Sequence, residues 1–132
     1  MGHKRILVVD DEPQLVELVQ LRLTANGYEV LTAYDGLEGL EKARTEQPDL
    51  IILDIMLPTL NGYEVCTTLK QDTRFRHIPI VMFTARTQPK DEQTARDCGA
   101  DAYLRKPFRP EEMLETIGHL LTKSTQQKGG SA

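Results

Sequence analysis

Apolar residues fall along this chain in short unbroken runs, separated by longer stretches with helical spacing. Residues 6–9 (Ile, Leu, Val, Val) form the first run and end abruptly at Asp10 and Asp11. A run with no polar member suits a strand covered on both faces, as in a parallel sheet, better than the alternation of a half-exposed strand. Pro13 then opens a helix in which Val16, Val19 and Leu23 recur every three or four residues, and Asn26-Gly27 supplies its stop. Residues 28–33 read as a second strand, and Leu37, Leu40 and Ala43 line one face of a second helix that Pro48 must end. Residues 50–53 (Leu, Ile, Ile, Leu) make the strongest buried strand, followed after Pro58 and Gly62 by a third helix over 63–70. A fourth strand is expected over 78–84, a mostly polar helix over 88–98 with Gly99 as its cap, and a fifth strand over 102–104. Pro110 opens a last helix carrying Met113, Leu114, Ile117, Leu120 and Leu121, after which residues 123–132 read as a polar flexible tail or the start of a linker.

Five strands alternating with five helices predict an α/β domain with right-handed crossovers. Closing a barrel takes eight such units, so the expectation is an open, five-stranded, parallel doubly wound sheet with helices on both faces. At 132 residues the chain is one domain, with 4–122 as its folded part. The balance of 16 Lys+Arg against 20 Asp+Glu gives a net charge of -4, which offers no global attraction to polyanions and predicts no direct nucleic-acid partner. The longest apolar stretch, residues 50–57, is broken by Asp54 and is far short of a bilayer span, so no membrane contact is expected. The first five residues lead into only four apolar ones and then acid, unlike a secretory leader, and a cytoplasmic location is the expectation. Cys66 and Cys98 are read as reduced, buried thiols.

Open α/β sheets carry their sites outside the carboxyl ends of the strands. Asp10 and Asp11 come after the first predicted strand, Asp54 after the third, Thr84 ends the fourth, and Lys106-Pro107 come after the fifth. Each has an innocent reading. An acid before a helix often caps it, an Asp after a strand often turns the chain, and a lone Lys is usually solvated. Together they place three carboxylates, a hydroxyl and an ammonium on one rim, and acids clustered there repel one another unless a cation joins them. The oxygen-only donor set suits Mg²⁺ and disfavours Zn²⁺, since no Cys or His lies near. A carboxylate beside a metal and an ammonium can act as nucleophile toward phosphorus.

Asp10-Asp11, Asp54 with Pro58 and Gly62, Thr84-Ala85, and the segment Gly99-Ala100-Asp101-Ala102-Tyr103-Leu104-Arg105-Lys106-Pro107-Phe108 together resemble the receiver domain of two-component response regulators. The resemblance covers roughly residues 5–122. It implies a flavodoxin-like strand order of 2-1-3-4-5, Asp54 as phosphoacceptor, and Mg²⁺ held by Asp11, Asp54 and the backbone carbonyl of Met56, with Asp10 acting mainly through water. Thr84 would bond a phosphoryl oxygen, Lys106 would pair with it, Tyr103 would turn in response to Thr84, and the Lys106-Pro107 bond would be cis. The implied donor is a sensor histidine kinase or phosphotransfer protein. The implied output is a partner or attached domain engaged through the face of the fourth helix, fifth strand and fifth helix, with dimerisation on phosphorylation as a further option. Met56 and Arg86, two residues after Asp54 and Thr84, bear on phosphoryl lifetime. The same strand order sets Cys66 early in the third helix and Cys98 at the end of the fourth, a separation that argues against a disulfide. His3, His77 and His119 lie away from the rim.

Other functions on a similar core fit less well. An aspartyl-nucleophile phosphatase resembles Asp-x-Asp, whereas here the second position is Met56; a flavin carrier needs a hydroxyl- and Gly-rich loop where this chain has Asp10-Asp11-Glu12-Pro13. A phosphate-independent interaction module would have no use for the acids, Thr84 and Lys106. The polar C-terminal residues suit a stand-alone regulator and a domain of a longer chain equally.

Overall fold

A computed structural model describes residues 3–85 and 97–130. Five strands, β1 (Arg5–Val9), β2 (Glu29–Ala33), β3 (Leu50–Asp54), β4 (Ile80–Thr84) and β5 (Ala102–Arg105), form one sheet in the order β2-β1-β3-β4-β5. Every pairing is parallel. Among the described residues the helices are α1 (Pro13–Ala25), α2 (Gly36–Glu46), α3 (Gly62–Lys70) and α4 (Pro110–Gly130). The helix expected over 88–98 lies, except for its last residues, outside the described residues.

The unbroken apolar runs become strands buried on both sides, and the two-residue alternation of the pleat sorts their side chains between two cores. Ile6, Val8, Leu50, Ile52, Val81 and Phe83 pack with Val16, Val19 and Leu23 of α1 and Met113, Ile117 and Leu121 of α4. Leu7, Val9, Ile51, Leu53, Ile80 and Met82 pack on the opposite face with Leu40 and Ala43 of α2 and Val65, Cys66 and Leu69 of α3. Each aliphatic side chain withdrawn from water in this way contributes about 1.5–3 kcal/mol before conformational entropy is counted. The doubly wound expectation therefore holds face by face. All of β3 is buried, so Asp54 is delivered to the rim by a fully enclosed strand.

Two local readings differ from the sequence expectation. Leu37 is 49% exposed. The buried stripe of α2 is Gly36, Gly39, Leu40 and Ala43, and Leu37 lies about 100° around the helix from Gly36. The last helix runs on to Gly130 rather than giving way to a tail at 123, because no proline interrupts residues 123–130 and each added residue gains a backbone hydrogen bond. Leu121 remains its last buried apolar side chain among the described residues. No helix among them is long and apolar enough to cross a membrane.

Candidate functional site

The rim is built from the residues just beyond the end of each strand. Asp10 leaves β1 with its backbone N–H still donating to Ala33 in β2, and its side chain is 1% exposed. One Asp10 oxygen accepts from the Glu12 N–H at 3.0 Å and the other from Lys106 Nζ at 2.7 Å. Asp10 thus organises the turn into α1, whose N-cap residue Glu12 makes no side-chain cap bond. The Glu12 carboxylate instead lies 3.4 Å from Lys106 Nζ. Glu12 is a rim residue that the sequence pattern did not single out. Its signal was present in the unbroken acidic run at positions 10 to 12. Asp11, between them, is exposed.

Asp54 ends β3, 6% exposed, with one oxygen 3.6 Å from Lys106 Nζ. The loop after it is fixed by close packing. Ile55 donates to Phe83 and accepts from Gly62, and a Cβ on Gly62 would overlap the Asp54 carbonyl oxygen, so only glycine lets α3 begin this close. Pro58 accepts from the N–H groups of Gly36 and Leu60, and the Thr59 hydroxyl accepts from Leu37 N and donates to Asp35, which ties the loop to the start of α2. Asn61 and Glu64 form a capping box at the start of α3. Met56 stands in this loop with its side chain 57% exposed.

On the other side, β4 sets Thr84 opposite Arg105 of β5. The Thr84 hydroxyl and all of Arg86 lie outside what the structure describes. Lys106 comes directly after β5 with its side chain 15% exposed; the Lys106-Pro107 bond is cis, as the resemblance implies, and Phe108 packs its ring 4.4 Å from that of Phe83. Tyr103 in β5 is partly buried against the core on the α2 and α3 face.

Carboxylate oxygens of Asp10, Asp11 and Asp54 can lie within 4.8 Å of one another. Burial, then the negative charge of Asp10 and that of Asp11, push the Asp54 carboxyl up to about 6, against the opposing pull of Lys106. Burial alone would lower Lys106, yet its bond to Asp10 and the charges of Asp54, Asp10 and Glu12 outweigh it and raise the ammonium. Four acids face one ammonium here. Hard oxygen donors, uncompensated negative charge and the lack of Cys or His fit a divalent ion such as Mg²⁺.

The two cysteines correct an expectation. Cys66 and Cys98 are not separated: the Cys66 thiol donates to the Cys98 carbonyl oxygen at 3.4 Å, and no disulfide joins them.

Against known proteins, a family model described as the response regulator receiver domain matches residues 6–118. The chain belongs to that family and is the receiver domain of a two-component response regulator. It is 48% identical over 122 residues to the alkaline phosphatase synthesis transcriptional regulatory protein PhoP of Bacillus subtilis (strain 168), covering 92% of this chain and 50% of that one. It is 46% identical over 120 residues to the DNA-binding dual master transcriptional regulator RpaA of Synechocystis sp. (strain ATCC 27184 / PCC 6803 / Kazusa), covering 91% and 50%. The chain spans about half the length of these relatives. Among solved structures, a CheY-like response regulator receiver domain protein from Methanospirillum hungatei JF-1 superposes with a TM-score of 0.90 at 31% identity, covering 96% of this chain and 99% of that one. The chemotaxis response regulator CheY4 of Vibrio cholerae gives 0.85 at 35%, covering 90% and 99%. The expectation of no nucleic-acid partner rested on the charge of this stretch alone, and the relatives of which it spans about half are named as transcriptional regulators.

Proposed function

We propose that Asp54 accepts a phosphoryl group, with Mg²⁺ as cofactor, from a sensor histidine kinase or phosphotransfer protein. The observation that carries this reading is a nearly enclosed carboxylate at the end of the central strand, 3.6 Å from a lysine and beside two further acids. Asp54, Asp11 and the Met56 carbonyl are the groups to hold the ion directly. Both Asp10 oxygens are already engaged by Lys106 and Glu12, which suits a role through water. When bound, Mg²⁺ supplies the charge that offsets the acids and the incoming phosphoryl oxygens.

With a carboxyl that titrates near 6, Asp54 is mostly ionised at neutral pH. Its oxygen attacks phosphorus, the P–N bond of a phosphohistidine breaks, and the electron pair leaves with the imidazole. Lys106, held by Asp10, then pairs with a phosphoryl oxygen. Thr84 bonds another, and Tyr103 responds to Thr84. The result is a switch whose altered states favour different partners, not an enzyme with turnover on an external substrate. The output face includes β5 and the C-terminal helix, with the helix expected over 88–98 lying almost wholly outside the described residues, and it engages a DNA-binding half of the kind the relatives' names imply, or a separate protein, with dimerisation as one consequence. The setting is cytoplasmic.

Acetyl phosphate with Mg²⁺ tests the reading. Intact mass should show one added phosphoryl group, not formed when the metal is chelated beforehand and absent in Asp54→Asn; equal labelling of that variant would overturn it.

A further inference from the structure

We propose that Cys66 and Cys98 form a dithiol pair which a hydroperoxide converts to an intramolecular disulfide. Cys66 sits in α3 and faces the core; Cys98 lies in the turn that leads to β5. The Cys66 thiol reaches the Cys98 carbonyl oxygen at 3.4 Å, which sets the two cysteines side by side. A rotation of the Cys98 side chain toward the Cys66 sulfur, to a bond of about 2.05 Å, is the movement the disulfide requires.

The surroundings hold the two segments together. Lys70, one turn along α3 from Cys66, donates to the Asp101 carboxylate at 2.8 Å and to the carbonyls of Ile78 and Arg76 at 2.8 and 3.1 Å. Asp101 also accepts from Ile80 N at the start of β4. The Lys70 stem lies so close to Gly99 that an added Cβ would stand 3.1 Å from its Cγ. These bonds clamp the turn around Cys98 onto the end of α3, so the Cys98 backbone is held against the Cys66 thiol.

The pair is also asymmetric. Cys66 is fully enclosed, whereas Cys98 keeps 8% of its surface and is flanked by the exposed Asp97 and Gly99. The neighbouring Cys66 lowers the Cys98 thiol, while Cys98 and then burial raise Cys66. Cys98 is therefore the attacking thiolate and Cys66 the resolving thiol. The Cys98 sulfur attacks one peroxide oxygen, the O–O bond breaks, and water leaves once the departing oxygen is protonated, giving a sulfenic acid. The Cys66 sulfur then attacks the Cys98 sulfur, and its proton departs with the sulfenic oxygen as a second water. Two thiols and one hydrogen peroxide become one disulfide and two waters, with two electrons passing from sulfur to oxygen. The bond closes a loop between residues 32 apart that contains β4 and Thr84, and fastens the approach to β5 onto α3.

The test is exposure of the full native chain to hydrogen peroxide, alkylation of remaining thiols, and peptide mapping without reductant. The expected product is a cross-linked peptide joining 66 and 98, two hydrogens lighter than the dithiol, with both thiols lost together and restored by dithiothreitol. In Cys66→Ser, Cys98 should be trapped as a sulfenic acid by dimedone; in Cys98→Ser, Cys66 should remain alkylatable after peroxide. Sulfinic acid at Cys98 with Cys66 still a thiol, disulfides only between chains, or two unreactive thiols in the folded wild type would each overturn the proposal.

Discussion

Lys70 and Lys106 stand at opposite ends of β5, one bound to Asp101 just before it and the other just after it, with equal side-chain exposure of 15%, yet they do opposite things. Lys70 gives its three protons to two neutral carbonyls and one carboxylate, so donors and charge are both matched. Lys106 faces Asp10, Glu12 and Asp54, with Asp11 close by, and one ammonium cannot balance four acids. A lysine whose charge is matched clamps the fold. A lysine set in surplus negative charge marks a site that still wants a cation, and the Asp54 carboxyl is raised there by burial first and then by the charges of Asp10 and Asp11.

Removing each lysine should separate the two cases most strongly. Lys70→Met leaves the half-shielded Asp101 and two carbonyls without their donor, and should cost about 3–4 kcal/mol in urea unfolding, with or without Mg²⁺. Lys106→Met should be destabilised without metal but regain most of that loss when Mg²⁺ is added. Equal responses of the two variants to Mg²⁺ would erase the distinction.

The next effect is a gain. The Asp54 carboxyl is raised from 3.8 to about 6, so the folded state binds more protons than the unfolded one across that window. The penalty is absent below about pH 4 and complete above about pH 6, so metal-free stability should fall as pH rises through it. Asp54→Asn should be about 3 kcal/mol more stable than wild type at pH 7 without metal, and flat with pH where wild type slopes. Unfolding curves from pH 4 to 7 check this, and a less stable variant at pH 7 contradicts it.

How much of this was readable in the sequence depends on the range of each interaction. The runs at 6–9 and 50–53 report burial directly, and Asp10, Asp11, Asp54 and Lys106 could be placed on one rim because strand ends are fixed by where those runs stop. The division of labour among the acids was not readable from pattern alone, since Asp10 and Asp11 are neighbours in sequence and differ only in which way the turn points them, inward and outward. Glu12 was missed because the ends of strands place only the residues next to them, and its carboxylate is brought to Lys106 by the turn that Asp10 organises. The contact of Cys66 with Cys98 was missed because strand order places whole helices but not the turn where one ends. Leu37 was misassigned because two glycines, invisible to an apolar pattern, carry the buried stripe of α2.

Two smaller effects sharpen the rim side of the comparison. Asp11→Ala should weaken Mg²⁺ binding about tenfold, or about 1.4 kcal/mol, by calorimetric titration, while Asp101→Ala beside Lys70 should leave it unchanged. Met56→Asn should speed loss of the phosphoryl group about fivefold, or about 1 kcal/mol of barrier, because an amide orients water where a thioether does not. Identical decay of parent and variant would remove Met56 from that step.

The most direct test of the central claim is chemical identification of the phosphorylated residue. An acyl phosphate is reduced by borohydride to the alcohol, so protein treated with acetyl phosphate and Mg²⁺, then with borohydride, should yield homoserine at position 54 on peptide mapping, with Asp10, Asp11 and Asp101 unchanged. Homoserine at Asp10 or Asp11, or none at any position, would contradict the account.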